Sequence, residues 1–160
     1  MKRCLSFIFV CSLVTFTSCS KQPEATTAAA SPAKHEHKAP HGGTPVVLGD
    51  EAYHLELVRD AATGKLTAYV LDGELEEFIR VKAASLEILA TVGGTKQALT
   101  LRAIANTATG ETVGNSSQFE VQADWLKTTA SFDATLTTIE IKGTTFSAVA
   151  FNFPKGNDKD

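Results

Sequence analysis

The feature that most constrains the fold is the punctuation of the chain between Thr44 and Phe153. Short runs rich in Thr, Val, Ile, Leu and Phe alternate with Gly, Asn and Asp, residues that favour turns. The runs predict strands at 44–48, 52–59, 65–71, 79–81, 85–92, 98–103, 118–123, 134–141 and 145–153. We therefore expect an all-β domain, an immunoglobulin-like β-sandwich of about seven to nine strands.

Local patterns add detail to this domain. Residues 60–64, the pair Gly93-Gly94 and the pair Lys142-Gly143 are typical of hairpin turns, and 106–115 is predicted to be a loop. Residues 123–127 predict a short helical turn that packs Trp125 as a plug. Other aromatic residues in or beside strands are expected in the core: Phe119, Phe132, Phe146, Phe151 and Phe153.

The amino terminus has the pattern of an export signal. Met1-Lys2-Arg3 is positively charged, residues 5–16 are apolar, and small residues follow at 17–20. The apolar run is about a dozen residues long, whereas a membrane-spanning helix needs roughly 20. The pattern therefore predicts a secretory signal and not a transmembrane helix.

The residues Phe16-Thr17-Ser18-Cys19 resemble the lipobox of bacterial lipoproteins, in which the cysteine is lipidated and becomes the first mature residue. Phe16 departs from the leucine usual in that family, and ordinary secretion with a cut near Ser18 is the alternative. The resemblance implies a membrane anchor on Cys19, with the domain in the periplasm of the bacterial envelope. Ser20, in place of a retention-type aspartate, favours the outer membrane.

This organisation divides the chain into four parts: a signal peptide at 1–18, a lipidated cysteine and tether at 19–40, a β-sandwich at 41–154, and a polar tail at 155–160. The tether contains no large apolar side chain, so we expect it to be flexible. The formal charge is −3, and −5 once Lys2 and Arg3 are removed. A mildly acidic chain does not favour nucleic-acid binding, which requires a basic face.

The four histidines lie close together in the sequence. His35, His37 and His41 fall within seven residues at the end of the tether, and His54 lies on the second predicted strand. Imidazole is a common ligand of Zn²⁺, Cu²⁺, Ni²⁺ and Co²⁺. The three cysteines lie at or before Cys19 and the single methionine is Met1, so a Cu(I) site of sulfur ligands is not expected after processing.

Alternation on the second strand directs Tyr53, Leu55 and Leu57 to one face. His54 and Glu56 are thereby predicted on the other, solvent-side face. A divalent metal site is thus predicted from His41, His54 and Glu56, with help from His35 or His37. Antiparallel pairing of 44–48 with the second strand would hold His41 away from His54, whereas another pairing would let them approach. The alternative is that the tether histidines are incidental and His54 is an ordinary surface residue.

A second resemblance is carried by four segments: 40–43, 46–47, 53–58 and 66–72. They resemble small bacterial envelope lipoproteins and the amino-terminal regions of periplasmic adaptor subunits of heavy-metal efflux pumps. The resemblance implies a β-rich domain and metal handling, marks His41 and His54 as residues of interest, and suggests an efflux-system or envelope protein as partner. The chain lacks the long coiled-coil hairpin of an adaptor, so it is not a complete one.

Enzyme signatures are absent: the sequence contains no nucleophile elbow, Walker loop, zinc-protease helix motif or dinucleotide fingerprint. The acidic residues Glu74, Glu76 and Glu77 follow a turn and are expected in a solvated loop. We therefore expect a non-enzymatic, lipid-anchored periplasmic module that binds or buffers a divalent metal in connection with efflux. The alternative is a structural or protein-interaction lipoprotein of the envelope without a metal.

Overall fold

The structure, a computed structural model, describes residues 38–158, and the predicted signal peptide, Cys19 and most of the tether lie outside this range. The described chain forms eight strands and one short 3₁₀-helix. They are β1 (Thr44–Leu48), β2 (Tyr53–Asp60), β3 (Lys65–Asp72), β4 (Ser85–Val92), β5 (Thr95–Ala103), β6 (Gln118–Gln122), the helix Asp124–Lys127, β7 (Phe132–Ile141) and β8 (Thr144–Phe153). Within these residues, no helix has the length and apolarity needed to cross a membrane.

All neighbouring strands are antiparallel and belong to one sheet in the order β1-β2-β3-β6-β5-β4-β7-β8. The chain therefore builds one flank with β1, β2 and β3, adds the β4–β5 hairpin at a distance, and fills the gap with β6. β7 and β8 complete the other flank. The 106–115 loop is the connection that carries the chain back from β5 to β6.

The sheet encloses one continuous core. Its eight strands confirm the predicted all-β class and the predicted number of about seven to nine strands. Every strand contributes buried apolar side chains, among them Leu48, Leu55, Leu66, Ile88, Leu101, Phe119, Leu136 and Phe151. The described residues form a single β-sandwich or barrel-like domain built from one eight-stranded sheet. The predicted strand at 79–81 is reduced to an isolated bridge between Val81 and Ser116.

The predicted turns are present where the glycines indicated them. Gly93 and Gly94 have φ values of 55° and 82° between the paired residues Val92 and Thr95. Lys142 and Gly143 have φ values of 49° and 85°, a left-handed pair that matches the twist of a tight hairpin. The helical turn is also present, but its fully buried residue is Leu126, whereas Trp125 is half-buried and packs edge-on against Phe132. The plug is therefore Leu126, because the turn directs Trp125 to the rim of the core.

The first strand and the end of the chain are joined by the side chain of Asn157, in the stretch that the sequence predicts to be a polar tail. The Val47 N–H donates to Asn157 Oδ1 at 2.7 Å, and Asn157 Nδ2 donates to the Val47 carbonyl at 3.1 Å. One amide thus reproduces the two bonds that a neighbouring strand would make. It satisfies backbone groups on the outer edge of β1, which would otherwise remain open to pairing with another chain.

We predict that Asn157→Ala lowers the free energy of unfolding by about 1–3 kcal/mol, because two backbone groups of a half-buried residue lose their partners. Urea denaturation of the variant and of an Asp158→Ala control, which changes the exposed neighbour, measures the effect. Equal midpoints for Asn157→Ala and the control would contradict this role.

Candidate functional site

The candidate site begins with a turn that folds the chain back over the outer face of β2. The Gly42 N–H donates to the Ala39 carbonyl at 3.0 Å, with Pro40 and His41 between them, and proline favours this position of a turn. Gly42 has φ 67°, a left-handed value that glycine adopts at no steric cost. At Gly43 a Cβ would lie 2.6 Å from the Leu57 carbonyl oxygen, so only glycine allows this close approach to β2.

The turn is held by the carboxylate of Glu56, which is fully buried. Its Oε1 accepts from the backbone N–H groups of His41 at 2.8 Å and Gly43 at 2.9 Å. Its Oε2 lies 2.8 Å from His41 Nδ1. A buried carboxylate is costly unless its oxygens are hydrogen-bonded, and here three donors converge on it. We call residues Ala39–Gly43 together with Glu56 the amino-terminal clasp.

The imidazole of His41 is fixed in position and tautomer by its neighbours. An ionised carboxylate only accepts hydrogen bonds, so Nδ1 carries the proton, and Nε2 has a free lone pair whenever the ring is neutral. The ring stacks on Tyr69, with the ring centroids 3.9 Å apart and the planes inclined by 11°. Its centroid lies 5.7 Å from that of the tilted Phe78 ring. The register of β2 with β3 explains the stack, because Tyr69 lies directly opposite Glu56.

The predicted exposure of His54 and Glu56 is wrong. They do share one face of β2, as alternation indicated, but they are only 2% and 0% exposed. His54 Nδ1 lies 3.2 Å from the Asp72 carbonyl oxygen, so this ring belongs to the interior. Strand alternation identifies the residues that share a face, but other segments decide whether that face meets water; over Glu56 the covering segment is the amino-terminal clasp.

Antiparallel pairing of β1 with β2 decides between the two positions predicted for His41. Val47 pairs with His54 and Thr44 with Leu57, so His41 approaches β2 near Glu56 and not near His54. His35, His37 and Cys19 lie outside the described residues. Across 38–158, no three His, Cys, Asp or Glu side chains form a group able to hold a metal ion. The acidic residues Glu74, Glu76 and Glu77 are exposed in a loop, as predicted.

A cavity of about 340 Å³ adjoins the clasp and was not predicted from the sequence. His41, Tyr69 and Phe78 form its aromatic part. Tyr69 and Phe78 meet edge-on at 6.0 Å, and Phe78 is 48% exposed. Burial raises the pKa of Tyr69, and the charges of Glu120 and Glu56 raise it further, so its hydroxyl stays protonated at neutral pH. A lone phenylalanine between Glu77 and Arg80 was the sequence signal that could have indicated this surface.

Glu111 lies on the polar side of this cavity. Its Oε1 accepts from the Ser117 N–H at 2.7 Å and the Ser117 hydroxyl at 2.6 Å, and its Oε2 accepts from the Thr109 hydroxyl at 2.6 Å. Burial alone would raise the pKa of the Glu111 carboxyl, but these hydrogen bonds and the charge of Arg80 outweigh burial and hold the pKa below its usual value. The carboxylate is therefore ionised and firmly oriented at neutral pH.

Comparison with known proteins gave no match to a protein-family model, a curated protein or a solved structure.

We predict that Glu56→Ala lowers the free energy of unfolding by about 2–4 kcal/mol, because three donors of the clasp lose their acceptor. Gly43→Ala should destabilise the clasp by a different route, since its methyl group meets the Leu57 carbonyl. Chemical denaturation measures both variants, with Glu140→Ala as the control, because Glu140 is an exposed strand carboxylate. Gly43→Ala unfolding at the same denaturant concentration as the natural protein would contradict the close packing of the clasp.

A second prediction concerns how the stability of the fold depends on pH. A carboxyl with a lowered folded-state pKa stabilises the fold above its unfolded-state pKa, and that stabilisation is lost as pH falls through the folded-state value. Glu111→Gln cannot ionise, so we expect it to be less stable than the natural protein at pH 7. The difference should shrink as pH falls below about 5. Urea denaturation across this range tests it, with the exposed Glu140→Gln as control; a difference that stays constant with pH would contradict the prediction.

Proposed function

We propose that this protein is a lipid-anchored periplasmic binding module that captures a divalent metal ion, Zn²⁺ or Cu²⁺, at the junction between its tether and its β domain. The observation that carries the proposal is the 2.8 Å contact between His41 Nδ1 and the buried Glu56 carboxylate. In metal-binding histidines, the N–H of the second ring nitrogen commonly donates a hydrogen bond to a carboxylate. This bond fixes the tautomer and makes the ligating nitrogen more basic. His41 has this arrangement before any metal arrives.

His41 is the metal ligand on the folded domain in this proposal. Its side chain is 37% exposed, so part of the ring faces solvent. Glu56 acts as the partner that orients the ring, because both its oxygens are already engaged by the clasp. His54 contributes no ligand, since it is buried and its Nδ1 faces a backbone carbonyl. The predicted set of five residues is thereby reduced to three candidate ligands: His35, His37 and His41.

The other two ligands come from the sequence just before the clasp. His37 precedes His41 by four residues and His35 by six, spacings that reach at most about 14 and 21 Å along the chain. Both imidazoles are therefore within reach of a metal held by Nε2 of His41. One fixed ligand lowers the entropy cost of binding relative to three free ones, but ordering the preceding segment keeps the affinity modest.

The anchor completes the proposal. Cys19 of the lipobox-like sequence would carry the acyl chains, and the segment between Cys19 and the clasp would hold the domain away from the membrane surface. Such a module could buffer metal beside an efflux system without being an enzyme. Mass spectrometry of the mature amino terminus tests the anchor, because acyl chains are expected on Cys19.

Calorimetric titration with Zn²⁺ and Cu²⁺ tests metal capture, using the full chain purified in detergent. We expect saturable binding at micromolar metal that weakens by about tenfold or more in His41→Gln, and likewise in the double variant His35→Gln/His37→Gln. Binding should also weaken as pH falls through about 6.5, where protons compete for imidazole.

His54→Gln is the discriminating control, because it should lower stability and leave the metal affinity unchanged. Absence of saturable binding, or equal affinity in His41→Gln, would reject metal capture. The second candidate function is then a structural or protein-interaction module. It is favoured by the exposure of Phe78 and Val113, two large apolar side chains that the described surface leaves open to a partner.

A further inference from the structure

The cavity beside the clasp has the size and the mixed lining of a small-ligand site. Its volume of about 340 Å³ falls within the range of about 300–1,000 Å³ typical of such sites. Tyr69 and Phe78 line it with aromatic rings, and Arg80, Asn106, Glu111 and Gln118 line it with planar polar groups. A ligand that fits must therefore be amphipathic, with an apolar face for the rings and several hydrogen-bonding groups for the rest.

The polar groups are held by the protein itself. Arg80 donates to the Thr109 carbonyl, and Asn106 Oδ1 accepts from the Ala108 N–H at 3.1 Å. Glu111 is held by Thr109 and Ser117, and its backbone pairs with that of Asn106 in both directions. Sites that recognise hydroxyl groups gain selectivity when their polar groups are fixed in this way, because a ligand lacking the hydroxyl leaves them unpaired.

The lining carries one cationic side chain, Arg80, and one carboxylate, Glu111. Arg80 and the Glu111 carboxylate have opposite charges and attract each other across the polar side. Neither an anion nor a cation is favoured by a lining of this kind, because each would meet its own sign as well as its opposite. The site therefore favours a neutral ligand.

We infer that this cavity binds a neutral saccharide of one or two rings. The apolar C–H face of a pyranose packs on the electron-rich face of an aromatic ring, here that of the half-exposed Phe78. Tyr69 lies beside it, with one face already covered by His41. Its hydroxyls bond to the amides of Asn106 and Gln118, to the guanidinium of Arg80 and to the oriented carboxylate of Glu111. His41 lines the cavity too, but the sugar contacts require no ion and neither His35 nor His37, so saccharide binding is chemically independent of metal capture.

Saturation-transfer difference NMR tests the site on the full chain, in a detergent without a sugar head group and with EDTA present. The probes are maltose, cellobiose, lactose and N,N′-diacetylchitobiose, with digalacturonate as the acidic comparison. Irradiation of the aromatic protons of the protein should give saturation-transfer difference signals for the ring C–H protons of at least one neutral disaccharide. Titration should give saturable, millimolar binding that is tighter than for digalacturonate.

Phe78→Ala should weaken that binding about fivefold or more, and Gln118→Leu should do the same. The matched control is Val113→Ala, which removes the other large exposed apolar side chain and should leave binding unchanged. Circular dichroism verifies that each variant is folded. No transfer to any neutral saccharide, tighter binding of digalacturonate, or equal effects of Phe78→Ala and Val113→Ala would overturn the inference. Because metal is absent throughout, these results are independent of metal capture.

Discussion

The buried carboxylate of Glu56 is the constraint on which the rest of the site depends. A charged group with no exposure is tolerated only when its oxygens are fully hydrogen-bonded, and the chain meets this demand with its own amino-terminal turn. Two backbone N–H groups and one ring N–H must lie within hydrogen-bond distance of the Glu56 oxygens at the same time. The chain can supply them only because Gly42 takes a left-handed conformation and Gly43 has no side chain to hold it off β2.

The clasp also shapes what lies next to it. By binding Glu56, His41 is laid flat on Tyr69, and the two rings with Phe78 become the aromatic part of the cavity. One residue of β2, Glu56, thus connects the residues before β1 with a surface formed by β3 and the loops that follow β3 and β5. Metal capture would use the His41 ring directly, whereas the saccharide would pack on Phe78, a ring that His41 contacts. Both proposals therefore depend on the position that Glu56 gives to His41.

Much of the fold could be predicted because its information is local. β1 and β4 have the predicted bounds, and Gly93-Gly94 and Lys142-Gly143 turn the chain where their left-handed conformations are required. Strand order is different, because β6 enters between β3 and β5 and its partners are remote in sequence. Asn157 is a similar case, because no local pattern indicates that its side-chain amide will bond both backbone groups of Val47, as a neighbouring strand would.

The candidate site shows where local information ends. Alternation correctly grouped His54 with Glu56, but it could not show that the face is covered, since over Glu56 the cover comes from residues before β1. The cavity was harder still to predict from the sequence, because Tyr69 comes from β3 and Phe78 and Glu111 come from two loops that share no motif with it. In the sequence alone, nothing distinguishes Phe78, a half-exposed phenylalanine in an acidic loop, as part of a binding site. It becomes a recognition surface only when the fold places a balanced pair of charges, Arg80 and Glu111, within the same cavity.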